Sequence, residues 1–104
     1  MTQVNIIRSD DIYLDGLTEL AHSLDKFPVW PTDPIHAVQV VNEEVGELNR
    51  AILQLVYEPD EYPDADVRKE AIQSIAVLIR FIAGLDGGQY NWSPAHQVEQ
   101  VLEG

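Results

Sequence analysis

Three glutamates crowded on one helix, with a fourth on a core-facing side of another, raise the question of a metal ion. Glu43, Glu44 and Glu47 lie together in "NEEVGELNRAIL" (Asn42 to Leu53), and Glu70 and Gln73 follow in "EAIQ". On a helix at about 100° per residue, with Val40 at zero, Val41, Val45, Leu48, Ile52, Leu55 and Val56 occupy an arc from about 60° to 160°. Glu44 borders that apolar arc at about 40°, and Glu47 and Glu43 continue the same edge at about −20° and −60°. Glu70 shares a helical side with Ser74, Val77 and Phe81, flanked by Gln73. Like charges three and four residues apart repel, and the nearest cation, Arg50, lies on the far edge. Carboxylates set beside valines pay heavily for lost water unless something neutralises them. A divalent cation does so, and an all-oxygen donor set suits Mg²⁺ or Mn²⁺. Glutamates on facing helices are a common way to build such a site inside a bundle.

The elements that must position these residues are helical. In "SDDIYLDGLTELAHSLDKF", N-cap candidates Ser9 to Asp11 precede Ile12, Leu14, Leu17, Leu20, Ala21 and Leu24 at helical spacing. The prolines of "PVWPTDP" interrupt that helix, and Asp33-Pro34 restarts the chain with a cap acceptor and a preset φ. A second helix is expected from there to about Tyr57. A third is expected from a cap at Asp64 or Asp66 to Ala83, stopped by the glycines of "GLDGG". Ser93-Pro94 predicts a short C-terminal helix over "AHQVEQVLE". With no strand-like alternation, the expectation is an all-α helical bundle of three long helices plus a short one, a single domain over residues 1–104. The third helix is apolar nearly all round (Ile75, Ala76, Val77, Leu78, Ile79, Phe81, Ile82). Such a helix needs cover on every side, so oligomerisation is expected to complete the core.

Eighteen acidic residues against six basic give a formal charge of −12. That balance argues against polymeric nucleic acid, which needs a basic footprint, and against an anionic membrane surface. A phosphorylated small molecule remains compatible if a divalent cation lies between the two. The chain has no cysteine, which removes disulfides, thiolate sites and cysteine nucleophiles. "MTQVNIIRSDD" lacks the pattern of a signal peptide. The longest apolar run, Ile75 to Leu85, is broken by Arg80 and too short for a membrane span, so a cytoplasmic protein is expected.

"EEVGEL", followed by "EAIQ" with 22 residues between Glu47 and Glu70, resembles the EExxE…ExxD signature of the MazG-like all-α NTP pyrophosphatases. "KFPVWPTDPIHAVQVVNEEVGELNRAIL" and "VRKEAIQSIAVLIRFI" are similar to small single-domain members, and helix order agrees from Lys26 to Ile82. The resemblance implies a bundle completed as a homodimer or homotetramer. It implies Mg²⁺-dependent cleavage of a nucleoside triphosphate, NTP or dNTP, between the α and β phosphates, a chemistry suited to removing unwanted nucleotides. Glu43, Glu44, Glu47 and Glu70 would then be the catalytic metal-site carboxylates. Gln73 stands where the family pattern has aspartate and offers a neutral carbonyl oxygen.

Lys26, Arg80, Trp30 and Asn91 are candidate substrate contacts. Lys26 opens the "KFP" stretch, and Arg80 interrupts an apolar helix and so calls for a specific partner: a phosphate, a glutamate or a subunit interface. Trp30 can stack on a base or cover a core edge, and Asn91 can hydrogen-bond a base or phosphate. Two other readings fit the same residues: a non-catalytic acidic helical partner protein, and a metal-binding protein without hydrolysis.

Overall fold

The computed structural model describes residues 9–93, and these form helices α1 (Ser9–Lys26), α2 (Pro34–Tyr57) and α3 (Val67–Asp86), with no strand among them. The short C-terminal helix expected after Ser93-Pro94 lies outside the described residues. Both later helices start on an aspartate cap. Asp33 Oδ1 accepts from the Ile35 amide at 3.0 Å with Pro34 in the first turn, and Asp66 Oδ1 accepts from the Lys69 amide at 2.9 Å. At the far end α3 runs past Ala83 to Asp86, so Gly84 lies inside the helix rather than in its stop. Gly88, at φ 62°, takes the left-handed position of the turn that follows.

α3 is the centre of the arrangement. It packs on α1 along one flank and on α2 along the other, while the Cα traces of α1 and α2 come nowhere within 8 Å of each other. The result is an open layer, with a gap between the outer helices. Arg68 pairs with Asp15 at 2.7 Å near the start of α3. The α2–α3 contact is made by small residues, since Ala37, Val41 and Ala51 are the buried positions of α2 and Ala76, Val77 and Ser74 are among those of α3.

Burial on α2 corrects the arc read from sequence. Val40, Glu44 and Leu48 are half-buried beside Ala37, Val41 and Ala51, whereas Val45, Ile52, Leu55 and Val56 are exposed. The packing face is therefore centred on Glu44, and half of the apolar arc points away from α3. Alanines at 37 and 51 explain the shift, because they let two helices approach more closely than β-branched residues would.

Many of the exposed apolar helix residues lie on one side. They include Leu17 and Leu24 of α1, Val38, Val45 and Ile52 of α2, and Ile75, Leu78, Ile82 and Leu85 of α3. On each helix these sit roughly 150–170° around from the residues that line the gap described next. The layer thus has a polar front and an apolar back.

Candidate functional site

The gap between α1 and α2 is a cleft of about 440 Å³ on the polar front. α1 contributes Glu19, His22, Ser23 and Lys26; α2 contributes His36, Val40, Glu43 and Glu44; and α3 supplies Gln73, Ala76, Val77 and Arg80. The connecting loop adds Phe27, Val29, Trp30 and Pro31. Both outer helices bring titratable groups to it: Glu19, His22 and Lys26 from α1, and His36, Glu43 and Glu44 from α2.

Glu44, Glu47 and Glu70 converge where α2 meets α3: one carboxylate oxygen from each lies within 4.8 Å of the other two. Glu44 and Glu70 are half-buried and Glu47 is exposed. One oxygen on each of the two half-buried residues, Glu44 Oε2 and Glu70 Oε2, is fully buried and has no hydrogen-bond partner. Such an acceptor costs free energy unless it is protonated or paired. Burial pushes the Glu44 carboxyl above the ordinary glutamate value, and the charges of Glu47 and Glu70, hydrogen bonding with Glu47 and the charge of Glu43 add to the rise. Glu70 is raised for the same leading reason, followed by the charge of Glu47 and hydrogen bonding with it; Lys69 opposes the rise. The cluster is thus set to take up positive charge, as a proton or as a cation.

Glu43 is not in this close group; it lines the cleft beside Glu44 and acts on it through space. Gln73 lines the same cleft from α3, half-buried, one turn beyond Glu70. Of the four candidate substrate contacts, Lys26, Trp30 and Arg80 line this cleft. Asn91 does not. It lines a separate hollow with Asp33, Ile35, Phe81 and Trp92, and its Oδ1 accepts from the amide and hydroxyl of Ser93.

Arg80 reaches the cleft wall, but its donors are occupied otherwise than expected. Its side chain leaves α3 and caps the end of α1. Nη1 donates to the carbonyl and hydroxyl of Ser23 at 3.1 and 2.8 Å, and Nη2 donates to the Phe27 carbonyl at 2.7 Å. The guanidinium also lies 4.8 Å from the centroid of the Trp30 ring. Arg80 is 6% exposed, and these partners account for a cation in an apolar helix. The last carbonyls of a helix and its negative dipole end are natural partners for it.

Tyr90 is the structural residue that sequence reasoning missed. It is buried, and its hydroxyl bridges Trp30 and α3. The available signal was Gly84, a glycine within an otherwise apolar helix six residues earlier, which marks a close approach.

No family model matches this chain, and neither a curated protein nor a solved structure shows significant similarity to it. The likeness to the MazG-like enzymes therefore rests on the motif residues and helix order alone. No described helix is long and apolar enough to cross a membrane.

Proposed function

We propose that this protein is a Mg²⁺-dependent nucleoside triphosphate pyrophosphohydrolase, releasing a nucleoside monophosphate and pyrophosphate. The observation that carries the reading is the convergence of Glu44, Glu47 and Glu70, with buried, unpartnered oxygens on two of them, beside a cleft of nucleotide-compatible size. The donor set fits a hard divalent cation, being all oxygen, anionic and split between two helices. Glu44, Glu47 and Glu70 would hold it, and Glu43 and Gln73 line the cleft on the side of Glu44. When bound, the ion supplies charge neutralisation for phosphate oxygens and a lower pKa for an attacking water. The chain's own residues do the rest. Lys26 adds positive charge from α1, Trp30 offers an aromatic surface, and a glutamate not engaged by metal can accept a proton from water.

The proposal includes assembly. The apolar back needs a second layer, because stable domains pack two layers around one core. Leu17, Leu24, Val38, Val45, Ile52, Ile75, Leu78, Ile82 and Leu85 are all exposed on that back, a broad apolar surface of the kind that interfaces cover. A second copy, back to back, would complete both cores. Sedimentation in the micromolar range should then show a homodimer or homotetramer and no folded monomer. A well-folded monomer would refute the shared core.

The activity is tested by incubating the protein with a panel of NTPs and dNTPs and assaying monophosphate and pyrophosphate. Pyrophosphate release should require Mg²⁺ or Mn²⁺ and be lost in Glu44→Gln and Glu70→Gln. Metal binding without turnover of any nucleotide would instead select the reading as a metal-binding protein.

A further inference from the structure

The loop between α1 and α2, residues 27–33, forms one wall of the cleft, and the α3 unit fixes its conformation from two sides. Tyr90 lies just past the Gly87–Gly88 turn and is 7% exposed. Its hydroxyl accepts from Trp30 Nε1 at 2.8 Å and donates to the Phe81 carbonyl at 3.0 Å. No other polarity is available, since an indole nitrogen only donates and a carbonyl only accepts. The phenol ring packs on Phe81 at 5.2 Å between centroids and meets Trp92 edge-on at 6.0 Å. Gly84 makes room for it, because a Cβ there would stand 2.6 Å from Tyr90 Cζ. Beside it, the Asn91 amide donates to the Thr32 carbonyl at 2.7 Å, tying the same two segments through main chain. Arg80 covers the Trp30 ring at 4.8 Å.

We infer that Tyr90 is a positioning residue of the cleft: its hydroxyl, seated by Gly84, fixes the Trp30 indole as a rigid aromatic wall for the planar ring of a ligand. A wall set before the ligand arrives spares the cost of ordering it on binding. The ligand part of this inference rests on the nucleotide reading of the cleft; the clamp itself does not. Tyr90 would touch neither the metal nor the reacting phosphates, so its loss should be felt in ligand affinity and not at the carboxylates.

The chain has two tryptophans, so a Trp92→Phe background leaves Trp30 as the sole fluorophore of its kind. Adding Tyr90→Phe keeps the ring and removes the bridge. In metal-free buffer without ligand, acrylamide quenching of Trp30 should increase. Gly84→Ala, which displaces the ring but keeps the hydroxyl, should reproduce that increase. With Mn²⁺ and a non-hydrolysable α,β-methylene nucleoside triphosphate, affinity should fall about fivefold in Tyr90→Phe, the worth of one hydrogen bond, while Mn²⁺ alone binds as before. Unchanged quenching in both variants would overturn the clamp. A parallel loss of Mn²⁺ affinity would overturn the positioning role in favour of a general structural one. If the background chain binds no nucleotide analogue, the nucleotide reading fails, and the ligand-free quenching still decides whether Tyr90 fixes Trp30.

Discussion

In metal-free buffer at pH 8, Glu44→Gln should melt above the native chain by roughly 5 °C, corresponding to about 1 kcal/mol in a domain of this size. Most substitutions at half-buried positions destabilise, so the sign is the informative part. Glu44 and Glu70 are both raised above the ordinary glutamate value of 4.5, by burial first and by neighbouring carboxylates second. Each therefore binds its proton more firmly in the folded chain than in the unfolded one. Their contribution to stability is fully present below 4.5 and is lost as pH climbs through the raised values. Glutamine mimics the protonated acid at every pH. The advantage of the variant should accordingly shrink as the pH is lowered through the raised values and the native chain regains its proton. Mn²⁺ at a hundred times its dissociation constant should reverse the order, since it stabilises the native chain by about 2.7 kcal/mol and the variant by less. Equal melting of the two proteins at pH 8, with equal responses to Mn²⁺, would remove the cluster from consideration as a charge trap.

Arg80→Ala should cost about 3 kcal/mol, because it removes hydrogen bonds from a nearly buried charged donor. The Phe27 carbonyl and the Ser23 hydroxyl lose that donor, the Ser23 carbonyl keeps only the Phe27 amide, and Trp30 loses the cation over its ring. Arg80→Lys should recover little, since one ammonium cannot reproduce a planar fork that reaches Ser23 and Phe27 together. Urea denaturation with an unchanged slope would measure the loss directly. If Arg80→Ala kept its stability but lost nucleotide affinity, the arginine would be a substrate contact rather than the cap of α1.

Much of the local structure was legible in the sequence. Asp33-Pro34 and Asp66 announce helix starts because an aspartate cap and a preset proline φ act within one turn, and both hold in the fold. Helical spacing put Glu43, Glu44 and Glu47 along one edge of a helix, and the family resemblance brought Glu70 to them; the structure draws Glu44, Glu47 and Glu70 together and leaves Glu43 outside the close group. What periodicity does not decide is which half of a broad apolar arc meets a neighbour. Val45 and Ile52 belong to the same stripe as Val41 and Leu48, yet α3 approaches over the alanines and leaves them exposed. Arg80 and Tyr90 were opaque for another reason. Their partners are Ser23, Phe27 and Trp30, more than fifty residues away in sequence, and a hydrogen bond to a main-chain carbonyl leaves no mark in the partner's identity.

The central claim is that the carboxylates of α2 and α3 form one cation site. Calorimetric titration of Mn²⁺ into the native chain, Glu70→Gln and Gln73→Asp tests it most directly. The account predicts saturable binding to the native protein, near-complete loss in Glu70→Gln, and tighter binding in Gln73→Asp, where an anionic oxygen replaces an amide carbonyl. Glu70→Gln binding Mn²⁺ as well as the native chain would contradict it, for α3 would then take no part in the site.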